Sequence, residues 1–204
     1  MLRVTMLLMG LVVLAAAGQS QALTVVDFHT DAVIQEGDAY DVVNVWDNAR
    51  IVMTGGMVRE VRLHDGSSLD VSGGDIGEYL FVGDASYLRM SGPAESSLII
   101  AFAGTSVSDM YGWVKGANLS ATGESRVNVY GYGFQVSTNY GAVLLHGIWE
   151  NDEAFSMYLR GGERDYARFV LHEIPEPGVL GLLAVGWVVS RWRRNAVHAS
   201  GRSH

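Results

Sequence analysis

The chain has 204 residues, a net charge of −8, no cysteine, and 25 glycines against three prolines. Without cysteine, disulfides, thiol catalysis and Cys-based metal centres are excluded, so apolar burial must hold the fold together. Residues 23–173 carry nine Lys/Arg against twenty-one Asp/Glu. So acidic a body excludes nucleic acid as a partner, because that affinity rests on basic side chains neutralising phosphates.

The first segment reads as an export signal. Met1-Leu2-Arg3 is a short positive leader, Met6 to Ala17 an apolar core, and Ser20-Gln21-Ala22 a small-x-small cleavage site. Cleavage after Ala22 makes Leu23 the first mature residue, with 1–22 forming a signal helix. Some 150 residues separate the two processed ends, which is one domain.

Residues 23–134 are organised by an internal repeat. Gly55, Gly73, Gly92, Gly112 and Gly131 are spaced 18, 19, 20 and 19 residues apart. Twelve residues before each stands Val43, Val61, Leu80, Ile100 or Leu119; ten before, Val45, Leu63, Val82, Phe102 or Ala121. Two before stands Met53, Val71, Met90, Met110 or Val129, and eight before stands a turn former, Asp47, Asp65, Asp84, Gly104 or Gly123. Strand, Asp/Gly turn, strand, Gly turn recurs five times with period-two alternation, which predicts a parallel β-solenoid of about five coils. A single coil cannot bury its apolar face; stacking at about 4.8 Å gives a continuous interior. An antiparallel sandwich also has short strands at regular spacing, but it has no reason to repeat one turn residue column by column. Ser108 replaces the Ile51, Leu69, Leu88 and Val127 of the other coils, so a bulge is expected there.

Solenoid ends need covers. Leu23 to Tyr40 is expected to cap the first coil through Leu23, Val25, Val26, Phe28, Val33 and Ile34. Residues 135–173 read as an antiparallel cap with strands at Val143–Trp149, Phe155–Leu159 and Tyr166–His172.

Residues 174–204 form a separate tail. Pro175-Glu176-Pro177 cannot continue a helix or a sheet interior. It is followed by an apolar run, Gly178 to Ser190, and by Arg191-Trp192-Arg193-Arg194. Thirteen apolar residues are short for a permanent span, which needs about twenty, and the arginines would stay cytoplasmic, leaving the body outside. This combination resembles the PEP-CTERM sorting signal of Gram-negative bacteria. The resemblance implies that Pro175, Glu176, Pro177, Arg191, Arg193 and Arg194 form the sorting motif and that exosortase, a membrane cysteine transpeptidase, removes the tail. It implies Sec export, transient tethering in the inner membrane, and delivery to the cell surface or extracellular matrix, with exopolysaccharide as a candidate partner. An ordinary single-pass C-terminal anchor is the alternative. The body, with its Ser-Gly-Gly turns and Tyr-Gly-Tyr-Gly segment, is similar to extracellular β-solenoid proteins that carry such tails.

Catalytic motifs are missing: there is no Gly-x-Ser-x-Gly, P-loop or His-Glu-x-x-His. No catalytic residue and no cofactor is expected. Asp47, Asp65 and Asp84 would stack between coils and are secondary candidates for calcium, against the simpler role of bonding their own turns. His146 and His172 are a candidate pair across the cap, against the simpler reading of each as a strand residue near the surface. The competing function is a carbohydrate-active enzyme of the lyase or glycosidase type, or a carbohydrate-binding module. The second would stack sugars on Trp46, Tyr87, Tyr111, Trp113, Tyr130 and Tyr132.

Overall fold

The computed structural model describes residues 23–92, 97–112 and 116–176. In chain order the strands are β1 (Val25–Phe28), β2 (Ala32–Ile34), β3 (Ala39–Val45), β4 (Arg50–Leu63), β5 (Ser68–Val82), β6 (Tyr87–Met90) and β7 (Ser97–Phe102). They continue with β8 (Val107–Met110), β9 (Gly116–Ala121), β10 (Arg126–Asn139), β11 (Ala142–Trp149), β12 (Ala154–Leu159), a short helix α1 (Glu163–Tyr166) and β13 (Phe169–Glu173). The protein is a β-solenoid of about five turns.

Two parallel ladders build it. One runs β1, β3, the second half of β4, the second half of β5, β7, β9 and β12. The other runs β2, the first halves of β4 and β5, β6, β8, the first half of β10, and β13. Their registers reproduce the sequence columns. Val61 pairs Leu80, Leu80 pairs Ile100, and Ile100 pairs Leu119; Met53, Val71, Met90, Met110 and Val129 follow one another on the second ladder. These side chains are 0–1% exposed. Period-two alternation therefore sends one residue in two into a shared interior.

The glycine column has a steric cause. A Cβ at Gly73 would lie 2.6 Å from the carbonyl oxygen of Thr54, and at Gly92 or Gly112 it would lie 2.7 or 2.8 Å from the oxygen of Ser72 or Gly92. Neighbouring coils approach too closely at this corner for any side chain.

Three expectations are corrected. First, the fourth coil has no bulge: Leu88, Ser108 and Val127 stay in register, with no shift in either pairing. The same coil carries Phe102, the largest residue of its column, so interior volume missing at Ser108 is supplied from the opposite ladder. Second, Leu23 to Tyr40 is not a separate cover. It contributes β1 and β2, which extend both ladders by one abbreviated coil. Ile34 joins the core, Phe28, Ala32 and Tyr40 pack against it and Val26 is half-buried, while Leu23, Val25 and Val33 are 67%, 55% and 59% exposed.

Third, the C-terminal region is both meander and coil. β11 is antiparallel to β10 and β12, as expected of a cap. β12 and β13, however, are parallel to β9 and β10 and so add a further coil. The start of the third expected strand is α1 instead, where Asp165 is 3% exposed and its Oδ2 accepts the Gly161 N–H at 2.9 Å. Buried Trp149 stacks on Phe155 at 4.1 Å and closes this end of the core.

Candidate functional site

The turn after the first-ladder strand is closed by the same backbone hydrogen bond in each of the five repeat coils, although in the first both Asp47 and Asn48 have positive φ. The N–H of Ala49, Ser67, Ser86, Ser106 or Ser125 donates to the carbonyl three residues earlier at 2.9–3.4 Å. Those five small residues form a buried column that the repeat alignment leaves unassigned. Ser86 Oγ donates to Gly83 O, Ser125 Oγ donates to Thr122 O at 2.9 Å, and Ser67 Oγ accepts the His64 N–H at 3.1 Å. Ser106 Oγ and Ser108 Oγ have no partner among the described residues.

The Asp/Gly column sits in this turn and is dictated by the backbone. Asp47, Asp65 and Asp84 have φ of 55°, 55° and 50°, and Gly104 and Gly123 have 66° and 68°. In this left-handed region Asp, Asn and Gly are tolerated and most residues are strained. The Asp47 and Asp84 carboxylates also have partners. Asp47 Oδ2 lies 2.6 Å from His29 Nδ1, and Asp84 Oδ2 accepts the Asp65 N–H at 3.2 Å. Among the described residues no group of three or more His, Asp or Glu side chains converges as a metal site.

The outward face of the second ladder carries a polar column. Asp70 lies 3.6 Å from Arg50 and 3.8 Å from Arg89. Two coils on, Asp109 accepts Tyr87 Oη–H and Asn128 Nδ2–H, both at 2.7 Å. Burial, with the bond to Asp109 adding to it, pushes the Tyr87 hydroxyl well above its ordinary pKa. Arg126 Nε donates to Asn128 Oδ1 at 3.1 Å, and His172 Nε2 is also 3.1 Å from that oxygen. Each acid on this face is thus engaged by donors from adjacent coils. The signal was present in the sequence, since Asp70, Arg89 and Asp109 alternate in sign at one repeat spacing.

The aromatic candidates form ladders of their own. Tyr111 stacks on Tyr130 at 4.3 Å, Tyr130 on His172 at 4.5 Å, and the Arg89 guanidinium lies 5.5 Å from the Tyr111 ring centre. Trp46 stacks on His64 at 4.0 Å. Ring faces used between coils are not open to a sugar. Tyr132 Oη donates to Asp152, which raises its pKa to about 12. Trp113 lies outside the described residues. His146 and His172 do not form a pair: His146 lies in β11 opposite Gln135 and Ser156, while His172 stacks on Tyr130.

At the N-terminal end a cleft is lined by Thr24, Tyr40, Asp41, Met57, Arg59, Asp75 and Glu78 among others. Arg59 reaches Glu60 at 3.0 Å, Glu78 at 3.1 Å and Asp41 at 3.5 Å. The Glu78 bond is foremost in holding its pKa above the ordinary value. Repeat alignment could not find this group, because it lies between the aligned columns.

Of the sorting motif, Pro175 and Glu176 are described, and both are exposed. Ile174 N–H still donates to Gly131 O at 2.8 Å, continuing the β13 ladder; two residues later the chain has left it. Ala22, Pro177, Arg191, Arg193 and Arg194 lie outside the described residues. Among the described residues no helix is long and apolar enough to cross a membrane. Comparisons with family models, curated proteins and solved structures return no match for this chain.

Proposed function

We propose that the protein is a non-catalytic surface or matrix component, exported through its leader and sorted through its Pro-Glu-Pro tail by an exosortase. The observation that carries this reading is the exit of the chain from the solenoid. The last ladder strand ends at Glu173, and Pro175 and Glu176 follow at once as exposed residues. Proline removes the donor that a further ladder residue would need, so Pro175 and Glu176 lie exposed past the end of the ladder, which supports access by a membrane enzyme.

The body suits a display role because its polar side chains are spent on neighbouring coils. Asp70, Asp109 and Asn128 are each bonded between coils, and the Tyr111 and Tyr130 faces are stacked. The use of the Tyr111 and Tyr130 ring faces between coils supports display over carbohydrate stacking at those two residues.

The test replaces Pro175, Glu176 and Pro177 with alanine in a host that has an exosortase. The variant is expected to remain uncleaved in the inner membrane fraction while the wild type is released. Normal release of the variant overturns the assignment.

A further inference from the structure

The N-terminal end of the solenoid holds a carboxylate placed to receive a charge that exists only after processing. Thr24 N–H donates to Asp41 Oδ2 at 2.7 Å, and the Thr24 carbonyl accepts the Asp41 and Val42 N–H groups at 2.9 and 3.2 Å. Thr24 is thereby fixed against β3 from both sides. The other oxygen, Asp41 Oδ1, faces Arg59 Nε at 3.5 Å. Consecutive backbone nitrogens are at most about 3.7 Å apart, so the nitrogen of Leu23 lies within roughly 6.5 Å of Asp41 Oδ2.

In the unprocessed chain that nitrogen is a neutral amide. Cleavage after Ala22 makes it an ammonium.

From this geometry we infer that the Leu23 ammonium created by leader removal docks on Asp41 at the mouth of the N-terminal cleft, adding to the β1 ladder an ion pair that the unprocessed chain lacks. The inference rests on the export reading and on its cleavage position. The charged groups around the docking point are Asp41 from β3, Arg59 from β4, and Asp75 and Glu78 from β5. Arg59 is the one guanidinium lining the cleft beside these three acids and is also bonded to Glu60, and no Lys or Arg occurs from Leu23 through Ala49. The added cation therefore meets a local negative excess. It also anchors an edge strand whose outward side chains, Leu23 and Val25, are mostly exposed and contribute little burial.

An opposite charge at this range favours the protonated amine and raises its pKa above the ordinary value of roughly 7.7–8.0. The folded value then exceeds the unfolded one. The stabilisation is complete below about pH 7.5 and is lost as pH rises through the raised folded value.

The test uses protein recovered after export. N-terminal sequencing comes first, and a terminus other than Leu23 refutes the cleavage position and this inference with it, leaving the tail assignment to its own test. With Leu23 found, the amine is titrated by NMR or by the pH dependence of selective acylation. We expect a pKa raised by about half a unit or more, returning to the ordinary range in Asp41→Asn, which keeps an oxygen for the Thr24 N–H. Should that variant not fold, acetylation of the Leu23 amine with Asp41 intact gives the same readout. The acetylated form is expected to lose thermal stability at pH 7 and to melt with the unmodified protein at pH 10. An ordinary amine pKa in the wild type, or an acetylation effect that does not change with pH, overturns the inference.

Discussion

Leu69 and Asp70 are adjacent in β5 and point to opposite sides of the second ladder, so substitutions at the two positions separate interior from surface. Leu69 is 1% exposed and lies between Ile51 and Leu88 in the column. Replacing a core leucine with a smaller side chain costs about 2–5 kcal/mol. Leu69→Asp adds an acid with no partner in that column, and such a group stays neutral rather than ionise in apolar surroundings. Holding an aspartic acid protonated at pH 7, about three units above its usual pKa, costs about 4 kcal/mol more at 1.36 kcal/mol per unit. The total of about 6–9 kcal/mol is comparable to the whole stability of a typical domain, and the variant is expected to be largely unfolded at pH 7. Because its folded-state pKa is raised, the penalty is smallest below about pH 4 and grows as pH rises. Asp70→Asn, by contrast, loses two long, partly exposed ion pairs to Arg50 and Arg89 and is expected to cost about 0.5 kcal/mol or less. Thermal melts of both variants at pH 4 and pH 7 check this. Equal melting temperatures at pH 7 would refute the inward and outward assignment.

Ser108→Leu is expected to destabilise by about 1–3 kcal/mol through overpacking, and Phe102→Leu in the same coil to relieve part of that cost; additive effects in a double-mutant cycle would sink the volume-compensation account. At Asp65, with φ of 55°, Gly is expected to be tolerated and Ala to cost about 1 kcal/mol, and millimolar calcium should leave the melting temperature of the purified body nearly unchanged; a rise of many degrees, lost in Asp65→Ala, would make the column a metal site. In a spectrophotometric titration Tyr132 is expected to ionise near pH 12 and to fall toward 10 in Asp152→Asn. Since that folded-state pKa is raised, the stabilisation from the pair is present below pH 10 and lost as pH rises through about 12.

The repeat could be read from residue types alone because a solenoid imposes the same local constraint at every turn. The inward columns, the close-approach glycines and the left-handed Asp/Gly slot each demand one residue class at one spacing, and a run of five makes that demand visible. The departure of the chain from the ladder after Glu173 was legible for a similar reason: Pro175 acts through its own backbone, without reference to neighbours in space. What the sequence could not decide lies where the repeat stops. β2 and β12 join the parallel ladders although β2 has only three residues and β12 follows an antiparallel turn, because the partner is a strand already formed in the adjacent coil. The roles of Asp47, Asp84, Tyr111 and Tyr130 likewise depended on what the next coil places about one strand spacing away. A residue's type sets which contacts it can make, but only the stacking of one coil on the next determined that these acids and rings are consumed between coils.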